Sequence, residues 1–277
     1  MVIVKICNLW YILIVSRSDK MDFIKYDDSE KAIINPSDFV PKMGKLPRIA
    51  IACYSKILFL KIIDNYECKY VGSLDYTDGD KKIYKIKYHN NFYTLFMMSV
   101  GGAAAATCIE DLHALGCNTF IVFGNCGVID NKIKDLSIII PNKAIRDEGV
   151  SFHYQEDNLM IYMNKKYVNT FKDILKNYGV SYIEGITWTT DAFYRETKKR
   201  VEMVKKMGAI CVEMEAASIQ AVCDFRGIEL FNFFYAADNL DSEVWDKRSL
   251  MGTTRLNEKM AVVELALELA SKINEEV

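Results

Sequence analysis

From Arg48 onward the sequence alternates short apolar runs with stretches of helix formers, and this alternation limits the possible folds more than any other feature. "RIAIACY" (48–54), "YTLFMMSV" (93–100), "NTFIVFG" (118–124), "LSIIIP" (136–141), "SYIEGITW" (181–188), "AICVE" (209–213) and "LFNFFYA" (230–236) have the length and composition of strands. "KKIYKIKY" (81–88) alternates apolar and polar residues, as a half-buried strand does. Residues 103–115, roughly 165–178, 198–208 and roughly 215–226 read as helices, with Gly116 and Gly208 as stops, and a last helix runs from about 254 to 274. Strands alternating with helices predict an α/β fold, a sheet with helices on its faces. The chain has 277 residues and is 51% hydrophobic, enough for a sizeable core. No repeat, Pro-rich linker or low-complexity block divides it, so one domain over 48–277 is expected, after an extension over 1–47.

That extension opens with "VIVKICNLWYILIV" (2–15), which is short for a membrane span and is followed by no cleavage site. Two accounts stand: translation starts at Met21, or the segment is a weak anchor or a packed strand. The formal net charge of -2 argues against nucleic acid as a partner, and no membrane partner is expected. The eight cysteines form no CxxC pair and there are three histidines, so no metal site is expected. Several cysteines sit inside apolar runs, as small buried hydrophobes do, which points to a reducing, cytoplasmic setting.

Open α/β sheets bind ligands at the carboxyl ends of their strands. Five such ends carry notable residues: "SVGGAAAAT" (99–107), "FGNCGVID" (123–130), "TTDAFYRE" (189–196), "VEMEAAS" (212–218) and "AADNLDSEVWDKR" (236–248). Each has a bland reading. Gly101 and Gly102 suit an ordinary turn, Glu213 and Glu215 suit a helix N-terminus, and Asp191 and Asp238 suit N-caps. Their joint placement at strand ends is what favours a ligand site.

"CVEMEAAS" (211–218) resembles the ribose-binding signature of the nucleoside phosphorylase family, which includes purine nucleoside phosphorylases, uridine phosphorylases and methylthioadenosine nucleosidases. The other four segments resemble that family's motifs in the same order, so the resemblance covers roughly 48–275. It implies a mixed central sheet forming a distorted barrel, flanked by helices. It also implies that Glu215 accepts hydrogen bonds from the 2′ and 3′ hydroxyls of a ribose, with Met214 packed on the sugar and Glu213 beside them. A carboxylate suits that task because it only accepts and can take two hydroxyls at once. Phe193 matches the aromatic residue that stacks on the base, with Tyr194 next to it and Gly127 facing the base from the loop. Asp238 matches the acid of purine-acting members, and Arg248 or Lys247 is expected to assist its proton transfer. Gly124, Asn125, Gly101 and Gly102 are expected to offer donors to phosphate, the co-substrate; no other cofactor is implied. A homo-oligomer built from dimers, a trimer or hexamer, is expected from the family.

The departures are as informative. Uridine phosphorylases carry a Gln and an Arg where this chain has Thr197 and Lys199, which favours a purine. The arginine expected two residues before the "GNCG" loop is Val122, and no arginine occurs between Arg48 and Arg146. Lys56 and Lys69 are candidate substitutes as point charges. Three functions follow: a nucleoside phosphorylase with a remodelled phosphate site, a nucleosidase that hydrolyses the same bond, and a non-catalytic binding or storage relative. A storage role needs none of Glu215, Phe193 and Asp238.

Overall fold

A computed structural model gives the fold and describes residues 2–6, 9–13, 26, 27 and 31–276. β1 (Val2–Ile6) and β2 (Leu9–Leu13) pair antiparallel as a two-stranded sheet of their own. Met21 and Cys7 lie outside the described residues.

A short helix, α1 (Pro36–Phe39), precedes β3 (Ile49–Cys53), α2 (Lys56–Asn65), β4 (Cys68–Tyr76), β5 (Gly79–Tyr88), β6 (Asn91–Met97) and α3 (Gly102–Ala114). Then come β7 (Thr119–Val128), β8 (Ile138–Asp147), β9 (Met160–Tyr162), α4 (Val168–Asn177), β10 (Tyr182–Thr190) and α5 (Lys198–Lys206). The chain finishes with β11 (Ala209–Glu213), α6 (Ala216–Arg226), β12 (Glu229–Asn239) and α7 (Leu256–Glu275). The ten-stranded sheet runs β11-β10-β8-β12-β7-β3-β6-β5-β4, with β9 on β8. It is mixed: β3 is parallel to β6 and β7, while β4, β5 and β6 are antiparallel neighbours. Cys211 and Val212 of β11 also pair with Val128 and Gly127 of β7, so the pairings through β7, β12, β8, β10 and β11 return on themselves. The expected mixed sheet flanked by helices is therefore present, curled at one end and open at the other.

The period of two along β3 sorts the core into two layers. Ile49, Ile51 and Cys53 pack with α2, α4 and α7, while Ala50 and Ala52 pack with α3 and α6. Both faces are covered, which is why the parallel strands read as nearly continuous apolar runs. α3 and α6 approach closely because Gly102 has no side chain: a Cβ there would collide with Ser218 Oγ. α2 starts at Ser55, whose hydroxyl accepts from the Leu58 N–H at 3.3 Å. No helix among the described residues is long and apolar enough to cross a membrane.

Candidate active site

The carboxyl ends of β3, β7, β10, β11 and β12 open on one cavity of about 690 Å³, within the range of about 300–1,000 Å³ usual for small-molecule sites. Glu213, Met214, Glu215, Phe193, Tyr194, Asn125, Gly127 and Asp238 all line it. Residues more than 110 positions apart in sequence are thus brought to one wall by the parallel strands, as Gly127 and Asp238 are in the β7–β12 ladder.

The two glutamates have different jobs. Glu213 ends β11, and its Oε2 accepts from the backbone N–H of Glu215 at 2.8 Å and of Ala216 at 2.6 Å. Its Oε1 accepts from Thr189 Oγ1 at 2.6 Å and Thr187 Oγ1 at 3.2 Å. Four protein donors occupy this carboxylate, so it fixes the start of α6 and the loop carrying Glu215. Glu215 Oε1 accepts from the Gly101 backbone N–H, across the fold, at 2.6 Å. Burial, reinforced by the Glu213 charge, pushes the Glu215 carboxyl up to about 8. Burial also raises Glu213, against the pull of its hydroxyl and amide donors.

Asp238 is buried, and its Oδ2 accepts from Trp245 Nε1 at 2.8 Å. Burial raises its pKa; the Trp245 N–H and the Arg248 charge act the other way. Gly127 makes room for it: a Cβ there would stand 2.5 Å from Leu240 Cδ1 and 3.1 Å from Asp238 Oδ1. A carboxyl held at one oxygen and kept partly from water is suited to hold a proton and deliver it from the other oxygen. Phe193 and Tyr194 form an exposed aromatic pair at the rim, with ring centroids 3.9 Å apart.

Several expected residues stand elsewhere. Arg248 does not line the cavity; its Nη1 donates to the Ile133 carbonyl at 2.9 Å and its Nε to Asp246 at 3.2 Å. Trp245 takes the contact with Asp238 expected of a base, and Lys247 lies over the Trp245 ring, 5.3 Å from its centroid. The Gly101 N–H, expected to face phosphate, is already bonded to Glu215. Gly102 packs on Ser218, and Gly124 lies in the β7–β12 ladder under the Tyr54 ring. Lys56 and Lys69 are exposed and away from the cavity.

Other lining residues carried no expectation. Tyr54, Glu196, Lys198, Glu243 and Trp245 also face the cavity. Glu196 follows Phe193 by three positions, and burial together with the Asp238 charge pushes its carboxyl up to about 7. The lining holds five carboxyl residues (Glu196, Glu213, Glu215, Asp238 and Glu243) against one cation, Lys198. Among the described residues no group of histidine, cysteine and carboxylate side chains is placed to hold a metal ion.

Known proteins resemble this chain in sequence and in fold. A uridine phosphorylase of Thermococcus kodakarensis is 27% identical over 155 residues, 51% of this chain and 56% of that protein. The chain thus matches about half the length of the uridine phosphorylases it resembles. A guanosine phosphorylase of Halorubrum lacusprofundi is 23% identical over 205 residues, 74% of this chain and 77% of that protein. The crystal structure of purine nucleoside phosphorylase from Toxoplasma gondii in complex with immucillin-H superposes with a TM-score of 0.73 at 17% identity, covering 90% of this chain and 99% of that one, which establishes a common fold. The family model for the phosphorylase superfamily matches residues 49–277, a stretch that contains every wall of the cavity. By that match and that fold, the chain belongs to the phosphorylase superfamily.

Proposed function

We propose that this protein is an enzyme that cleaves the N-glycosidic bond of a purine nucleoside by phosphorolysis, giving the free base and ribose 1-phosphate. One observation carries the reading: Glu215, Phe193 and Asp238 converge on a single nucleoside-sized cavity at the carboxyl ends of the sheet. Membership of the phosphorylase superfamily supports it, as do relatives named uridine and guanosine phosphorylase.

In this reading the ribose hydroxyls donate to Glu215, with Gly101 bracing the opposite side of the carboxylate and Glu213 holding the loop. Fixing the sugar places C1′ for attack. Phe193 covers the base. As the bond from C1′ to N9 breaks, its electron pair moves into the purine, and Asp238 donates a proton to N7. A phosphate oxygen forms the new bond to C1′. Trp245 orients Asp238, and Asn125 with Lys198 supplies donors to the phosphate. The purine preference rests on Asp238 and on Thr197 and Lys199 standing where a uracil reader would be.

Hydrolysis is the second reading, and the lining favours it: five carboxyl residues surround one lysine, a poor setting for a dianion that favours guanidinium contacts. A homo-oligomer in a reducing, cytoplasmic setting accompanies the proposal. All seven described cysteines are free, which agrees with that setting. The test is a substrate panel. Inosine, guanosine, adenosine and uridine are each incubated with and without phosphate, and free base, ribose and ribose 1-phosphate are assayed. Purine release with ribose 1-phosphate supports the proposal; free ribose selects the hydrolytic reading; release from uridine alone removes the purine assignment.

A further inference from the structure

We infer that Glu196 is the residue that selects the base, and that it selects 6-oxopurines, guanosine above all, by accepting from the N1–H and the 2-amino group. The inference rests on the nucleoside reading of this cavity and goes beyond it by naming the base edge and its reader.

Glu196 lies in the loop that leaves β10, after the short 3-10 turn Phe193–Arg195 and just before α5. Its backbone is tied down by donation to the Phe193 carbonyl at 3.1 Å. The side chain lines the cavity that Phe193 and Asp238 also line, near enough to Asp238 for that charge to act on it. It is half-buried, yet among the described residues no donor and no cation pairs with its carboxyl. Every other deeply set carboxylate of the site has a protein donor: Glu213 has four, Glu215 has Gly101, and Asp238 has Trp245. A half-buried carboxyl without a donor, beside another acid, is costly unless a ligand supplies the donor.

The chemistry of the bases then discriminates. An ionised carboxylate is acceptor-only, with two oxygens side by side. Guanine offers two adjacent donors, N1–H and the 2-amino group, on the edge that continues from N7 past O6. Asp238 at N7 and Glu196 at N1 therefore address one continuous edge. Hypoxanthine offers the N1–H alone. Adenine presents an acceptor at N1, which the carboxylate repels. Uracil presents one donor, N3–H, between two carbonyl acceptors. The order expected is guanosine, then inosine, then adenosine, with uridine disfavoured. A site built around a hydrogen bond rejects the analogue that lacks it far more strongly than an apolar pocket rejects a size change.

Glu196→Gln is the test, since glutamine keeps the shape but presents a donor that suits adenine N1. kcat/KM is measured for guanosine, inosine and adenosine on the whole chain, and binding of the same three nucleosides is measured by calorimetry without phosphate. The variant should lose about 10- to 100-fold on guanosine and less on inosine, while adenosine is unchanged or improved. Glu196→Ala should lower guanosine similarly without the gain on adenosine. Equal losses on all three substrates, or an unchanged order, would overturn the inference even if the wild type cleaves purine nucleosides well. A wild type that binds guanosine through Glu196 but cleaves nothing would uphold the inference and sink the catalytic reading. A wild type that binds none of the three would sink both.

Discussion

The backbone N–H of Gly101 donates to Glu215 Oε1 at 2.6 Å, joining the turn before α3 to the loop before α6 across 114 positions. Gly101 has φ 93°, in the region that favours glycine. Gly101→Ala is expected to cost about 1–3 kcal/mol of stability and to raise KM for the nucleoside, because relaxing the strained φ turns the N–H away from the carboxylate it braces. Thermal melts and initial rates check both. A variant with a lower Tm and an unchanged KM would assign the bond to folding alone.

In the proposed reading, Glu215→Gln removes the carboxyl whose ionised form accepts two ribose hydroxyls. The loss should be about 2–4 kcal/mol of transition-state stabilisation, about 30- to 1000-fold in kcat/KM on a ribonucleoside. Its effect on folding should have the opposite sign. Burial raises the folded carboxyl from 4.5 to about 8, so the folded state holds a proton that the unfolded state releases. Wild-type stability therefore falls as pH rises from about 5 to about 8. Glutamine abolishes that cost, and the variant should gain on the order of 2–4 kcal/mol at pH 8, shrinking to nothing near pH 5. Denaturant titrations at both pH values check the sign; a variant less stable at pH 8 would make Glu215 a structural helix start.

The same carboxyl gives binding a pH dependence. Ribose hydroxyls donate best to the ionised form, so the preference for a ribonucleoside over its 2′-deoxy counterpart should grow from pH 6 to pH 8 and flatten above. Taking the ratio cancels groups that face the base. A ratio flat across this range would remove Glu215 from the sugar.

Asp238→Asn should slow cleavage of a purine nucleoside about 100-fold or more. Substrates with an activated leaving group should suffer less, because they need less help from an acid. Trp245→Phe removes the N–H that orients Asp238 and should cost about 10-fold through that one hydrogen bond. Equal losses on ordinary and activated substrates would return Asp238 to a structural role.

Val122→Arg should not restore a phosphate site. Val122 is fully buried in β7, in the core layer that also contains Ala50, Phe120 and Ile219. A guanidinium there would be unpaired and should destabilise the fold by about 3 kcal/mol or more. Asn125→Ala, at an exposed position of β7 that lines the cavity, should raise the phosphate KM and leave the fold intact. Circular dichroism melts and phosphate titrations separate the two outcomes.

The fold was legible wherever a segment is apolar on both faces. β11 matches its expected bounds at 209–213, and α3 and α6 lie within one or two residues of theirs. β7 and β12 run four and three residues beyond their apolar runs, because Asn125 and Asp238 turn polar where the sheet meets the cavity. α2, β4 and β9 gave no usable signal. "KILFLKIIDN" is apolar enough to read as either element, β4 carries Gly72 and mixed polarity, and β9 has three residues. In the candidate site, motif order singles out Glu215, Phe193 and Asp238, and all three line the cavity. Glu196, Trp245 and Lys198 are not singled out: they line the cavity from loops and a helix start, where no periodic pattern marks them. Arg248 is a candidate helper of Asp238 only through the family resemblance, and its guanidinium is held by Asp246 and the Ile133 carbonyl.

The attacking group is the central claim, and phosphate titration against guanosine at fixed concentration tests it most directly. Guanine release should depend on phosphate, with ribose 1-phosphate formed in equal amount. The acidic lining and the missing arginines predict a phosphate KM above the roughly 1 μM to 1 mM usual for substrates. Guanine release at an unchanged rate in phosphate-free buffer, with free ribose as the sugar product, would contradict phosphorolysis and establish hydrolysis in its place.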